Sequence, residues 1–337
     1  MSRPAKNQNN EQEDTLDLTL RPKTWQEYVG QNKVKENLRI IITAAKQRQE
    51  SPEHLLFYGG SGLGKTTLAH LVAKEIGKEI KVTSGPAIER AGDLAAILTN
   101  LEPGSVLFCD ELHRLNRLLE EYLYPAMEDF KLNLILGKGP MARTMELKIP
   151  RFTLIGATTR LALVSSPLRS RFGAIFGLNF YTVSDIEKIL ERSSRILNIE
   201  ATPEALKTIA KCSRFTPRVA NHLLKRIRDF AQVKGEGKIT NLLAKQALNT
   251  LEIDELGLMP NDRRILEALI KKFNGGPVGL QALAAATAEE EDTILDIYEP
   301  YLMRLGFIER TPRGRVATKL AFQHLGLKDK NAQGFLI

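Results

Sequence analysis

Cysteine is nearly missing from this chain. There are two in 337 residues, Cys109 and Cys212, too isolated to read as a disulfide framework or a metal-ligand pair. Long apolar runs are missing as well. No stretch approaches the ~20 residues needed to cross a bilayer, and the opening MSRPAKNQNNEQED has no apolar core of an export signal. These absences exclude a disulfide-stapled secreted domain and a helical membrane span, and they point to a reducing, cytoplasmic setting. What is present is 43% hydrophobic and 26% charged residues, ordinary for a globular chain with room for two or three domains. The formal net charge of +8 suits a polyanionic partner. Much of the excess lies late in the chain, where Arg304, Arg310, Arg313, Arg315, Lys319, Lys328 and Lys330 face only Glu309 and Asp329.

One stretch organises the rest. Leu55–Tyr58 is a short apolar run that reads as a buried strand, residues 59–65 are glycine-rich, and residues 66–76 carry a helical pattern. Gly59, Gly64, Lys65 and Thr66 fill the fixed positions of G-x-x-x-x-G-K-[ST] in the strand–loop–helix setting that the motif requires. Glycines let backbone N–H groups turn inward around phosphate oxygens, and the helix N-terminus adds partial positive charge. Lys65 then reaches the β- and γ-phosphates of ATP, and the Thr66 hydroxyl is placed for Mg²⁺.

Upstream, residues 1–14 are polar and read as a disordered tail. The following LTLRPKTWQEYVGQ presents Trp25 and Tyr28 as an aromatic-anchored turn packing on its domain, and residues 33–49 repeat apolar positions at helical spacing. Downstream, residues 79–82 read as a strand and 93–101 as a helix. Residues 106–109 are continuously apolar, as in a strand buried on both faces of a parallel sheet. That strand ends in Asp110 and Glu111, adjacent acids that are costly there unless a cation or water uses them. Asp110 suits Mg²⁺ and Glu111 the attacking water; otherwise the pair is first-turn helix charge. His113 has no second ligand at metal spacing and reads as structural or coupling.

Residues 130–149 alternate polar and apolar on both sides of a turn at 137–140, a β-hairpin inserted where a plain α/β unit needs only a helix. Its apolar face (Leu132, Leu134, Leu136, Met145, Leu147, Ile149) either docks a partner or folds back on its own domain. Residues 152–157 form the next strand, ending in Thr158 and Thr159, and SSPLRSRFG brings Arg169 and Arg171 together. Such an arginine can enter a neighbouring subunit's site or stay in a surface ion pair. From Tyr181 on, residues 184–197, 203–211, 216–234 and 240–251 are helical in pattern, with Arg218 on a first turn. Helices at 262–273, 279–286 and 293–305 and a basic hairpin at 306–318 follow, the winged-helix arrangement, with Arg310, Arg313 and Arg315 in a wing suited to phosphates.

Together, LRPKTWQEYVGQ, GGSGLGKTT, DELHRL, GKGPMART, IGATTR, SSPLRSRFG, TPRVANHLLKRIRDF, GGPVGL and RTPRGR resemble, in order, the RuvB family of AAA+ motors, over residues 18–326. The resemblance implies a P-loop AAA+ parallel-sheet domain at 18–181 with the inserted hairpin, after a tail at 1–17. An all-helical lid at 182–254 and a winged-helix head at 255–337 follow. It implies an ATP hydrolase that forms a hexameric ring on duplex DNA and drives branch migration of four-way junctions with RuvA, in recombination and repair. The resolvase RuvC is a further implied partner.

Carried over residue by residue, Leu20, Arg21 and Tyr181 match the adenine side, and Gly62, Lys65, Thr66 and Thr67 the phosphate cradle. Asp110 and Glu111 match the Walker B pair, with Thr66 and Asp110 on Mg²⁺, and Thr159 matches the γ-phosphate sensor. Arg171 matches the arginine acting in trans, with Arg169 second; Arg218 matches the second sensor. Glu128, Asp129 and Phe130 lie where the family has further nucleotide contacts, with ATP or ADP as ligand. Arg310 and Arg315 match the DNA-contacting wing, and hairpin 130–149 the RuvA dock.

The chain departs from the family at Gly60-Ser61, which replace two prolines and loosen the loop, and at Cys109, where an aliphatic residue is usual. Phe215 stands where glycine normally precedes Thr216, and a bulky residue there is expected to alter the turn aiming Arg218. Two other classes fit parts of the sequence: a clamp-loader or initiator-like ATP switch, and a winged-helix regulator with an ATP-sensing domain. The complete set Lys65, Asp110, Glu111 and Arg171 argues against the latter, and the hairpin and wing favour the motor.

Overall fold

The computed structural model describes residues 18–136 and 143–327. The polar tail, the hairpin turn at 137–140, and Lys328 and Lys330 lie outside the described residues. The chain divides into two compact units, before and after the step from Asn179 to Phe180.

The first unit is built on five parallel strands: β1 (Leu55–Tyr58), β2 (Ile80–Ser84), β3 (Val106–Asp110), β6 (Thr153–Thr158) and β7 (Ala174–Gly177), in the order β2-β3-β6-β1-β7. Burial follows position. Central β6 is buried at every residue and β3 at all but its last, which is why both read as apolar runs; edge strands β2 and β7 are mostly exposed or half-buried. β7 is too short and too flanked by glycine to be legible in sequence, and β2 starts one residue later and ends two later than expected.

Helices cover the sheet. α1 (Asn32–Arg48) buries Leu38, Ile42 and Ala45 at helical spacing, and α2 (Lys65–Ile76) follows the glycine loop. α3 is Ala91–Thr99, α4 (Arg117–Glu128) starts at Asn116, whose side chain accepts from the Leu118 N–H, and the short α5 is Ser166–Arg169. Trp25 and Tyr28 are buried as expected, with Trp25 Nε1 donating to Glu75 (3.2 Å) and the Tyr28 hydroxyl to the Leu63 carbonyl (3.5 Å). His54 locks the sheet base. Its Nδ1 accepts from the Leu154 N–H (2.8 Å), so Nε2 carries the proton toward the Met127 carbonyl (3.0 Å), and burial pushes its pKa down.

The inserted hairpin forms a separate two-stranded sheet, β4 (Lys131–Leu136) against β5 (Arg143–Lys148), pairing Leu132 with Leu147 and Leu134 with Met145. The apolar face divides between burial in its own domain and exposure. Leu132 and Ile149 are buried in the domain core, with Leu134 and Leu147 packed against it, whereas Met145 is exposed.

In the second unit, α6 (Val183–Ile196), α7 (Pro203–Lys211), α8 (Pro217–Lys234) and α9 (Asn241–Thr250) form the helical lid, within about one residue of the expected bounds. Thr182, Thr202 and Thr240 cap their helices with side-chain oxygens. The winged helix comprises α10 (Pro260–Glu267), α11 (Leu280–Thr287) and a rod of Glu291–Thr293, Ile294–Tyr298 and Glu299–Arg304. The antiparallel wing β8 (Ile308–Thr311) and β9 (Gly314–Ala317) follows. Two expected α-helices contain π turns, Ala268–Lys272 and Ile294–Tyr298. Cys109 and Cys212 are free and buried, their thiols pushed up by burial to about 12 and about 11, so neither is a reactive thiolate. Among the described residues no helix is long and apolar enough to cross a membrane.

Candidate functional site

The C-terminal ends of β3, β6 and β1 lie side by side, with Tyr58 opposite Thr158 and Cys109 opposite Gly156. In a parallel sheet this is the edge at which ligands bind. The glycine loop leaves β1 with the Gly59 N–H bonded to the Thr158 carbonyl (3.2 Å). Gly59, Gly62 and Gly64 all have positive φ. A Cβ on Gly59 would stand 2.6 Å from the Leu178 carbonyl oxygen and one on Gly64 2.8 Å from the Tyr28 hydroxyl, so both glycines are required by close approach. No side chain caps the first turn of α2, so its amides, which include those of Thr66 and Thr67, face an uncapped N-terminus. Lys65 is buried, its ammonium donating to the Gly59 (2.7 Å) and Gly60 (2.9 Å) carbonyls at the loop mouth.

Asp110 ends β3, and its carboxylate accepts from the Glu111 N–H (2.9 Å). Glu111 is left-handed at φ +48, a conformation that costs a non-glycine residue about 1–2 kcal/mol. Gly85 makes room for it: a Cβ there would stand 2.5 Å from the Glu111 carbonyl oxygen. His113 bridges two strand ends, its Nδ1 2.9 Å from the Thr158 hydroxyl and its Nε2 3.4 Å from Glu111 Oε2. Beside Thr158, the buried Thr159 hydroxyl has no hydrogen-bond partner. A buried polar atom without a partner fits a ligand oxygen, so the edge suits a nucleotide γ-phosphate. Among the described residues no three metal-ligating side chains cluster. A cation held by Thr66 and Asp110 would therefore draw its other ligands from phosphate and water, as Mg²⁺ does.

Arg171 belongs to another cluster. Nη1 donates to the Pro167 carbonyl (2.7 Å) and Nη2 to Glu128 (3.3 Å), while Nε lies 3.2 Å from Glu128 without the alignment of a hydrogen bond. The guanidinium stacks 4.3 Å from the Tyr124 ring centroid. Glu128 therefore stands with Arg171, Asp129 caps α4, and Phe130 packs edge-on to Phe152. Arg169 ends the short helix Ser166–Arg169. Leu20 is buried, and Arg21 lines a groove with Leu18, Pro22, His70 and Ile80 that contains no phosphate-loop residue.

In the wing, charge is partly spent. Glu299 is 1% exposed and takes Arg310 Nε (2.5 Å) and Arg315 Nη2 (3.2 Å). Burial alone raises the Glu299 carboxyl, and hydrogen bonds and charge from the two arginines overturn that and hold it below its usual range. The Arg315 side chain is 16% exposed and that of Arg310 51%. Arg310 thus keeps an open edge and Arg315 does not, while Arg313 at the turn is exposed. The spacing of RTPRGR gave no sign of Glu299, eleven residues upstream of Arg310.

Comparison with known proteins adds to this geometry. A profile described as the Holliday junction DNA helicase RuvB P-loop domain matches residues 20–178, the RuvB AAA lid domain 181–254, and the RuvB C-terminal winged helix domain 255–326. The Holliday junction branch migration complex subunit RuvB of Chloroflexus aggregans is 61% identical over 312 residues, 93% of this chain and 89% of that protein. The chain belongs to the RuvB family. Its relative from Dehalococcoides mccartyi, of the same name, is 59% identical over 321 residues, 94% and 92% of the two chains. The solved Thermotoga maritima RuvB Holliday junction branch migration motor matches with a TM-score of 0.85 at 47% identity, over 92% of this chain and 99% of that one. The expected fold class, an AAA+ sheet domain with helical lid and winged helix, is therefore correct for this RuvB-family chain, and it is a nucleotide-binding P-loop protein.

In the lid of this RuvB-family chain, Tyr181 is buried and Arg218 is exposed on the second residue of α8. Phe215 adopts the left-handed conformation itself (φ +55), as does Arg214 (φ +54), a conformation that glycine would take without strain. Each such residue costs about 1–2 kcal/mol. The offset comes from contacts that no local sequence signal reveals.

Proposed function

We propose that this chain is an ATP-driven motor that encircles duplex DNA as a hexameric ring and drives branch migration of Holliday junctions with RuvA. The observation that carries the reading is the alignment of Lys65, Asp110–Glu111 and Thr159 at three neighbouring strand ends, in a chain that also bears a winged helix and a projecting hairpin. The name that its close relatives carry, branch migration complex subunit, supports the same reading.

Each residue has a part. The α2 amides and Lys65 hold the β- and γ-phosphates of ATP, and the Thr159 hydroxyl takes a γ-phosphate oxygen. Thr66 and Asp110 would hold Mg²⁺, which would supply neutralisation of phosphate charge there. Glu111 orients and polarises the attacking water, with His113 fixing its carboxylate relative to the sensor strand. Arg171, presented by Glu128 and Tyr124 at a subunit seam, neutralises charge on the γ-phosphate of the neighbour. Leu20, Arg21 and Tyr181 flank adenine and Arg218 reports the γ-phosphate to the lid; Glu128 acts through Arg171. The outer part of the hairpin, where Met145 is exposed, docks RuvA, and Arg313 and Arg310 lie along DNA phosphates. RuvC joins at the junction, and the whole works in the cytoplasm on chromosomal DNA.

The test is ATP-dependent dissociation of a synthetic four-way junction with RuvA present. Wild type should dissociate it and Glu111→Gln should not; equal activity ends the motor assignment. In the same assay, Arg171→Ala and Lys65→Ala should each fail alone, and mixing them should restore some turnover, because a ring then contains seams with one intact arginine and one intact loop. No recovery on mixing removes the shared seam.

A further inference from the structure

We propose that Arg214 and Phe215 are the joint that couples the nucleotide-reading residues of the lid to the DNA-binding winged helix. The proposal rests on the reading of Tyr181 and Arg218 as nucleotide-side residues. Both are attached to the joint by backbone. The Phe215 carbonyl accepts from the Tyr181 N–H (3.0 Å), and Phe215 is two residues from Pro217, where the helix bearing Arg218 begins.

The side chains of the joint point the other way. Phe215 packs against the winged-helix core, its ring centroid 6.0 Å from that of Tyr301, with the Arg304 guanidinium 5.7 Å from its centroid. Arg214 is buried. Nη1 donates to Asp262 Oδ2 (2.8 Å), Nη2 donates to the Ile297 carbonyl (2.8 Å), and its guanidinium lies 4.5 Å from the Tyr301 ring centroid. The same Asp262 oxygen accepts from the Met259 N–H (2.8 Å) and so caps the first helix of the winged domain. Ile297 lies in the π turn of its last rod, which also carries Glu299, the residue holding the wing arginines.

Two consecutive residues thus touch the adenine-side Tyr181 through the main chain and three winged-helix elements through side chains. Both are held left-handed, a conformation that persists in non-glycine residues only where surroundings over-determine it. A second seam lies alongside. Gly257 approaches the Cys212 carbonyl so closely that a Cβ would stand 2.5 Å from its oxygen, and the Cys212 thiol donates to the Asp254 carbonyl (3.4 Å). A turn pinned at so many points cannot shift on its own. A nucleotide-driven displacement at Tyr181 or Arg218 is carried into the winged helix, and DNA binding feeds back by the same route, since coupling between two binding events is reciprocal. In a chain with glycine at 215 the ring contact is missing, so here the phenylalanine strengthens the joint.

The experiment measures duplex DNA affinity of the full chain with and without ATPγS. In wild type the nucleotide should change that affinity. Phe215→Gly accepts φ +55 without strain and deletes only the ring, so it should shrink the nucleotide effect by about fivefold or more while ATPγS affinity itself stays within about twofold. Phe215→Tyr keeps a ring and should restore the response. Should Phe215→Gly fail to fold, Arg214→Lys carries the same expectation, because it keeps the charge opposite Asp262 but cannot also reach the Ile297 carbonyl as a fork. A merely structural role lowers the melting temperature and leaves the nucleotide response intact, which overturns the proposal. A wild-type chain whose DNA affinity ignores nucleotide also overturns it. Arg218→Ala separates the two readings. If it binds ATPγS as wild type does, the nucleotide role of Arg218 fails. If it binds poorly while Phe215→Gly keeps the full response, only the joint fails.

Discussion

At the strand ends of the first unit, side chains keep bonding capacity in reserve: the Thr159 hydroxyl is buried without a partner and the first turn of α2 is uncapped. In the second unit the buried charges are paired: Arg214 donates to Asp262 and to the Ile297 carbonyl, and Glu299 takes both Arg310 and Arg315. A buried hydroxyl without a partner at a strand end fits a ligand oxygen, and a buried charge persists where a partner neutralises it. The contrast separates a site built to receive something from a framework built to hold its shape, and it warns against reading every arginine in a wing as a DNA contact.

The sharpest way to break the contrast is to remove a framework charge. Glu299→Ala should destabilise the second unit by about 3 kcal/mol, because it strands the mostly buried Arg315; urea unfolding measures it, and a loss below about 1 kcal/mol would make the pairing ornamental. Next in size, the wing arginines should split. Arg313→Ala should flatten the salt dependence of duplex binding by about one unit of slope, whereas Arg315→Ala should leave the slope alone and lower stability. Equal slopes for the two variants would erase the division of roles. The smallest effect concerns pH. His54 is held neutral, so its folded pKa lies below the unfolded value near 6.5. Its contribution is complete above that value and is lost as pH falls below it toward the lowered folded pKa. His54→Gln should remove that portion of the slope in thermal melts, and an unchanged slope would show that the ring does not titrate in this way.

Legibility followed the range of the interactions. The phosphate loop, the buried strand ending in Asp110–Glu111 and the inserted hairpin were readable because each is a local pattern of backbone freedom or alternating burial. The edge strand β7 was not, since four residues of mixed exposure carry no periodicity. The pairing of Glu128 with Arg171 was not legible, because that neighbour is created by folding α4 over the short helix after β6. His113 could be excluded as a metal ligand by spacing, but its link from Glu111 to Thr158 required the parallel sheet to bring β3 beside β6.

Taken alone, the order of residues determined that a phosphate-binding loop opens a helix, that acids end a buried strand, and that a helical segment and a basic winged module follow. Those features depend on contacts within a few residues, which composition and spacing encode directly. Tertiary structure alone decided which charges are spent and which are held ready, because the partners of Arg171, Arg214, Arg310 and Arg315 lie 43, 48, 11 and 16 residues away. It also decided that Phe215 could occupy a glycine's conformation, since the ring's packing against Tyr301 exists only once the lid and the winged helix have come together.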